Sequence, residues 1–451
     1  MILLDGLDEV PTVNINDVIG QIQNFVDKYD KNRFIVSCRT AAYRHNFKRF
    51  TDVKLADFDD TQIEQFINNW FQSEVDKQAG TAQKCWELLQ KPEYAAAKEL
   101  AHTPLLLTFL CLNYDRSQNF PNNRSVLYKK ALRILLEEWA SEKRILRDEI
   151  YQGMSTELEE ILLSEIAYTG FEADKLFFSQ REVVEQIKSF LANNLNVPKH
   201  LNGEAVLNAI AVQQGIVVER AEDVYSFSHL TLQEYLTAQY IADNNLIEQL
   251  VTNHLFDQRW REVFLLVAGL VRSKNGADEL LLLMEKEAQK YIINMPKLQG
   301  LLQWADEVTK GSEGDFKPVG KRAGAIANAY AIANANANAI KLAEELKEIK
   351  IFNDVNWNEL IAQVETLKAQ VPDNDQPEQV YLAFADSLLH TWCNALHLAP
   401  EIVKLSEEEA KALENYLYAN SLIIQCKEAA VKISATTWEE IESRMLLVPE
   451  S

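Results

Sequence analysis

Met1-Ile2-Leu3-Leu4-Asp5-Gly6-Leu7-Asp8-Glu9-Val10 is the stretch on which the reading of this chain turns. A short apolar run ends in an aspartate, and two more carboxylates follow one helical turn later. The apolar residues suit a buried parallel strand, with Asp5 at its carboxyl end, where ligands of open α/β sheets bind. A carboxylate there can hold Mg²⁺ through water, while Asp8 or Glu9 orients or deprotonates an attacking water. The same residues also describe a short strand followed by an acidic turn, and spacing alone does not separate the two.

A nucleotide site of this kind needs a second element, Gly-x-x-x-x-Gly-Lys-Ser/Thr, whose backbone amides and lysine cradle the phosphates. It normally precedes the acidic strand. The nearest lookalike lies downstream at Gly320-Lys321, where Arg322 replaces the hydroxyl residue and Asp315 replaces the first glycine. The expectation is a hydrolytic edge without its phosphate cradle, in a chain that does not bind nucleotide tightly alone.

Composition narrows the field. A chain of 451 residues holds about three domains, and 47% hydrophobic residues is ample for real cores. The net charge of −22 argues against a general nucleic-acid or anionic-membrane surface. No apolar run approaches the roughly 18 residues of a membrane span, and the start lacks the pattern of a signal peptide. Cys38, Cys85, Cys111, Cys393 and Cys426 are few, odd in number and scattered. They read as reduced thiols of a cytoplasmic protein.

Along the chain, Val18, Ile22, Phe25 and Val26 fall at helical spacing within Asp17 to Tyr29. Arg33 to Cys38 then reads as a second buried strand, and Val53 to Leu55 as a third. Asp59 and Asp60 cap a helix through Phe71. Further helices are expected at Trp86–Leu89, at Tyr94–Leu100, from Thr103-Pro104 onward (apolar from Leu105 to Leu112), and from Val126 to Arg144. Two more follow around Leu158–Thr169 and from Ser179, where Glu182 completes a capping box. Glu204 to Gln214 reads as a helix ending at Gly215. Ile216–Arg220 and Val224–Phe227 form a hairpin around Ala221-Glu222-Asp223. Helices followed by a small hairpin suggest a winged helix. Beyond about Asp243 the chain reads as helical. Lys310 to Gly320 is expected to be a long exposed loop, and the Ala/Asn-rich stretch Ala323 to Ala339 one helix.

Four motifs in order give the chain a family resemblance: Leu3-Leu4-Asp5-Gly6-Leu7-Asp8-Glu9, Ser37-Cys38-Arg39-Thr40, Thr103-Pro104-Leu105-Leu106, and Phe227-Ser228-His229-Leu230-Thr231-Leu232-Gln233-Glu234-Tyr235-Leu236-Thr237-Ala238. Together they resemble the NACHT family of signal-transduction NTPases, within the STAND class. The resemblance spans roughly residues 1 to 270, since Trp260-Arg261-Glu262-Val263-Phe264 is similar to the helical extension of bacterial members. It implies a mainly α fold with a small α/β part: a partial P-loop NTPase sheet, a helical domain, a winged helix and a C-terminal all-helical region. The corresponding boundaries are 1–57 for part of the nucleotide-binding domain, 58–120 for helical domain 1, 121–243 for the winged helix, and 244–451 for a helical sensor or connector.

The resemblance also implies roles. Asp5 is the Walker B aspartate that holds Mg²⁺ through water, and Asp8 and Glu9 are the catalytic acidic pair. Arg39 resembles the sensor-1 arginine that contacts the γ-phosphate, Pro104 packs against adenine, and His229 reaches the β-phosphate of bound ADP. An arginine fork suits phosphate oxygens, and an imidazole on a mobile domain gives that domain a differential contact with nucleotide. The implied function is the C-terminal portion of an ATP/ADP-dependent signalling switch, with homo-oligomerisation on activation and protein partners. In many bacterial relatives the setting is defence against phage. The alternative is a non-enzymatic helical interaction protein that kept the fold. One further constellation, His390, Cys393 and His397, lies on one helical face, but a packed stripe explains it as well as zinc does.

Overall fold

The computed structural model describes residues 1–5, 7, 15–37, 47–53, 56–94, 97–98, 101–102, 104–120, 123–133, 136, 154–194, 202–210, 216–221, 223–228, 230–272, 275–334, 339–371 and 378–449. These form two compact units, one of Met1–Leu250 with Asp257–Ser273 and Ala429–Lys432, the other of the remaining segments. The architecture is mainly α with a small α/β part.

The first unit begins with strand β1 (Ile2–Leu4), helix α1 (Ile15–Lys28) and strand β2 (Phe34–Val36). The strands are parallel, with Ile2 opposite Phe34 and Leu4 opposite Val36, as a β–α–β reading requires. Burial departs from expectation. Ile2, Leu4, Phe34 and Val36 are half-buried on one face, where the Phe34 ring meets Phe25 of α1 edge-on at 5.9 Å. On the other face Leu3 is 62% exposed and Ile35 54%. Because side chains alternate along a strand, a helix packed on one face leaves every second residue uncovered. Of the expected third strand only Val53 is described; it is irregular and 84% exposed, and residues 54–55 lie outside the described residues.

A helical group follows: α2 (Asp60–Trp70), α3 (Glu74–Ala79), α4 (Thr81–Leu89) and α5 (Pro104–Ser117). Asp59 caps α2 in a complete capping box with Gln62. Helix α5 starts at Pro104 and buries Leu106, Leu107, Phe109, Leu110 and Cys111. A proline suits a first turn, which has no use for its missing N–H. Phe58 N–H donates to the His102 carbonyl at 2.9 Å and His102 Nδ1 pairs with the Phe58 carbonyl, joining the two ends of this group.

Helix α6 (Arg124–Arg133) covers the start of the expected long helix, with Leu127, Tyr128 and Leu132 buried; residues 137–150 lie outside the described set. The winged helix comprises α7 (Thr156–Glu172), α8 (Gln180–Asn193), α9 (Gly203–Ala209) and a three-stranded antiparallel sheet. Its hairpin, β4 (Val217–Ala221) and β5 (Val224–Phe227), was expected; the two-residue strand β3 (Phe178–Ser179) was not. Strand β3 pairs with β5 through Phe178–Tyr225 and Ser179–Val224. Ser179 is both the last residue of β3 and the N-cap of α8, where Glu182 closes the box. In the turn, Asp223 takes φ 61°, a left-handed conformation that aspartate tolerates. Helix α10 (Leu230–Asp243) packs against α7 and against α12 (Arg261–Leu270), with α11 (Ile247–His254) between α10 and α12 in the sequence.

The second unit is helical: α13 (Asp278–Ile293), α14 (Pro296–Thr309), α15 (Pro318–Asn334), α16 (Ala339–Ile349), α17 (Trp357–Lys368), α18 (Glu378–Ala395), α19 (Pro400–Val403), α20 (Glu407–Ala429) and α21 (Ala435–Arg444). Of the Ala/Asn-rich stretch, residues 323–334 lie in α15 and Ala339 opens α16; residues 335–338 lie outside the described residues. The part in α15 packs through Ala325, Ile326, Ala329 and Ile332. The Lys310–Gly320 loop is shorter and better anchored than expected. Buried Lys321 donates to the Ser312 carbonyl at 2.6 Å, and Gly314 N–H to that of Lys350 at 3.0 Å.

Helix α21 is held at both ends in keeping with its dipole. Asp278 accepts from Ser434 N–H at 2.9 Å and from the Thr437 hydroxyl at 3.1 Å, while Arg322 donates to the Met445 carbonyl at 2.8 Å. Ser406 and Glu409 cap α20 reciprocally: Ser406 N–H donates to the Glu409 carboxylate at 2.8 Å and Glu409 N–H to the Ser406 hydroxyl at 3.2 Å. Among the described residues no helix is long and apolar enough to cross a membrane, and no group of three His, Cys, Asp or Glu is placed to hold a metal ion.

Candidate functional site

The carboxyl ends of β1 and β2 lie side by side because the parallel ladder continues past both strands. Ile2 N–H donates to the Arg33 carbonyl at 2.8 Å, Ser37 N–H to that of Leu4 at 2.9 Å, and Leu7 N–H to that of Ser37 at 3.0 Å. Leu7 is buried and anchors the turn after the strand. This register sets the Ser37 hydroxyl against Asp5, where it donates to Oδ1. Asp5 is exposed. An exposed carboxylate at the end of a parallel strand, oriented by a neighbouring hydroxyl, fits a hydrated magnesium ion. Ser37 had no role assigned from sequence; the hydroxyl two residues before Arg39 was the only signal.

Pro104 is exposed at the first turn of α5, and its carbonyl accepts from the Thr108 hydroxyl at 3.0 Å. Asp8, Glu9, Arg39 and His229 lie outside the described residues. The positions flanking His229 are placed. Ser228 N–H donates to the Ile216 carbonyl at 2.7 Å, and α10 begins at Leu230. Arg220 secures this strand end, donating through Nε to the Ser226 hydroxyl at 2.9 Å and through Nη2 to the Ser228 carbonyl at 3.0 Å. Sequence reasoning missed Arg220, whose partners across the hairpin have no local signature.

The motif that follows His229 is largely a packing device. Leu232, Gln233, Tyr235, Leu236 and Ala238 are buried. Gln233 Nε2 donates to the Lys175 carbonyl at 3.3 Å, so this amide ties α10 to the end of α7. Tyr235 stacks on Tyr128 of α6 at 5.9 Å. Burial pushes both phenols up; Glu262 adds to the effect at Tyr128 and Glu160 at Tyr235. Arg124 of α6 donates to both Glu262 oxygens of α12, at 3.0 and 2.9 Å. In the α8 capping box, the Lys175 ammonium and then the Ser179 backbone N–H draw the Glu182 carboxyl down to about 2.

A three-stranded wing on a helical core, followed by a helical C-terminal unit, defines the class: a winged-helix protein with an appended helical domain. Comparison with family models makes this specific. Residues 124–241 match the winged helix-turn-helix domain C-terminal to NACHT, and residues 360–448 match NACHT C-terminal Helical domain 2. The winged helix and the C-terminal helices are thus each similar to a domain that lies C-terminal to NACHT. No curated protein matches it.

Proposed function

We propose that this chain is part of a NACHT-type signal-transduction switch governed by ATP and ADP, acting in the cytoplasm and signalling through protein partners and self-association. In this reading residues 1–57 belong to the nucleotide-binding domain, 58–120 to helical domain 1, 121–243 to the winged helix and 244–451 to a sensor or connector. Asp5 binds Mg²⁺ through water, Asp8 and Glu9 serve hydrolysis, and Arg39, Pro104 and His229 contact nucleotide. Defence against phage is a biological setting consistent with the bacterial resemblance.

The observation that carries the reading is the Asp5–Ser37 pair at the carboxyl ends of two parallel strands. A carboxylate and a hydroxyl meet there at the position where open α/β sheets bind ligands. The sequence holds no Gly-x-x-x-x-Gly-Lys-Ser/Thr, and without that cradle the β- and γ-phosphates lose most of their amide and ammonium donors. The 451 residues alone are therefore expected to bind MgATP and MgADP only weakly. Calorimetric titration with each nucleotide tests this. Tight, micromolar binding abolished by Asp5→Ala would confirm the role of Asp5 and overturn the proposed weakness of the isolated chain. Nucleotide contact detected at neither Asp5 nor Pro104, even at millimolar MgATP, would favour the non-enzymatic interaction protein.

A further inference from the structure

Helix α7 presents a stripe that the packing of the winged helix does not absorb. Ile161, Glu165, Tyr168 and Glu172 recur at helical spacing, so they share one face. Ile161 is 47% exposed, and the other three are half-buried. Tyr240 of α10 lies against Tyr168, ring on ring, with centroids 4.6 Å apart and planes 20° from parallel. Gln249 reaches the Tyr168 hydroxyl at 3.4 Å and borders the pair. The surface thus runs apolar, acid, aromatic, acid, with a second tyrosine beside the first.

Aromatic faces carry negative quadrupole density, and an aromatic pair flanked by carboxylates favours a cation above the ring. Among the described residues, the charged groups that act on the two phenols are acidic. Glu165 and Glu172 are close enough to push the phenols up after the dominant effect of burial, Glu165 acting on Tyr240 and Glu172 on Tyr168. Glu165 itself is pushed up by burial. Its carboxylate is partly stripped of water, and among the described residues it has no ion-pair partner. An incoming cation would relieve that cost. The whole chain carries −22, so long-range attraction adds to the local field.

We infer that the Ile161–Glu165–Tyr168–Glu172 face of α7, with Tyr240, is a docking surface for an arginine-bearing segment of a protein partner. Arginine fits better than lysine, because its planar guanidinium stacks on a tyrosine face while its N–H groups reach a carboxylate beside the ring. Ile161 supplies an apolar seat for a neighbouring aliphatic residue of the same segment.

The test uses the full chain and two labelled peptides, identical except that one carries arginine and the other lysine at every fourth position of an alanine/leucine frame. Fluorescence anisotropy at near-physiological salt should show the arginine peptide binding about fivefold more tightly than the lysine peptide, the order of a partly desolvated cation–π contact. Tyr168→Ala should abolish that preference, Tyr168→Phe should keep it, and Glu165→Gln should weaken both peptides several-fold. Equal affinity for the two peptides, an arginine preference that survives Tyr168→Ala, or no binding of either peptide would overturn the inference. Circular dichroism confirms that the variants fold. Should Tyr168→Ala fail to fold, unchanged binding in Glu165→Gln overturns it instead.

Discussion

Arg124 and Glu262 offer the sharpest test of how the first unit is held together. They lie on α6 and α12, and side-chain exposure is only 9% for Arg124 and 20% for Glu262. One guanidinium nitrogen, Nη1, serves both carboxylate oxygens. Arg124→Met removes the cation and leaves a nearly dry carboxylate facing the buried Tyr128 phenol. Removing one partner of a buried pair costs about 3–5 kcal/mol. Glu262 keeps a little water, so the lower edge, about 3 kcal/mol, is the expected loss. In a unit of this size that corresponds to a fall of about 6–12 °C in Tm. The double variant Arg124→Met/Glu262→Met should recover to within about 1 kcal/mol of the parent, because two packed thioethers carry no desolvation penalty. Calorimetric melts of the parent, both singles and the double give the cycle, with a coupling of at least about 2 kcal/mol expected. Additive losses, or a single variant that costs under about 1 kcal/mol, would show that the pair is solvated and that the buried-charge reasoning is wrong.

The α8 capping box gives a pH signature. Glu182 is drawn from its ordinary 4.5 to about 2, so the stability it adds is present above about pH 4.5 and fades as pH falls toward 2. Its side chain is 44% exposed, which limits the effect of Glu182→Ala to about 1 kcal/mol near pH 7. Melts over a pH series should show that difference shrinking below pH 4.5, and a constant difference would remove the carboxylate from the explanation. Packing gives a second test. A Cβ on Gly170 would stand 2.3 Å from Phe178 Cε1 and 2.4 Å from Cζ, with Phe178 buried in β3. Gly170→Ala should therefore destabilise by about 1–3 kcal/mol despite the better helix propensity of alanine. Gly20→Ala on α1, where nothing lies within 4 Å, should gain up to about 1 kcal/mol. Chemical denaturation of both variants checks the contrast, which fails if Gly170→Ala matches or exceeds the parent.

What the sequence made legible was local. The boxes at Asp59–Gln62, Ser179–Glu182 and Ser406–Glu409 each close within four residues, so residue type and spacing nearly specify the geometry. The β4–β5 hairpin is local for the same reason. Strand β3 was not legible, because two residues have no period and Ser179 already had a role as an N-cap. The Arg124–Glu262 and Asp278–Ser434 contacts span 138 and 156 residues, and nothing in the neighbourhood of either residue announces its partner. The candidate site divides along the same line. Asp5 could be placed at a strand end from four apolar residues, but its contact with Ser37 depends on parallel register across an intervening helix. The exposed outer face of β1 and β2 makes the point from the other side: alternation says which residues share a face, not whether that face is covered. A motif spread over several elements therefore names the chemistry before it establishes the approach of its residues. At this site the Asp5–Ser37 hydrogen bond is the contact on which the proposed chemistry rests.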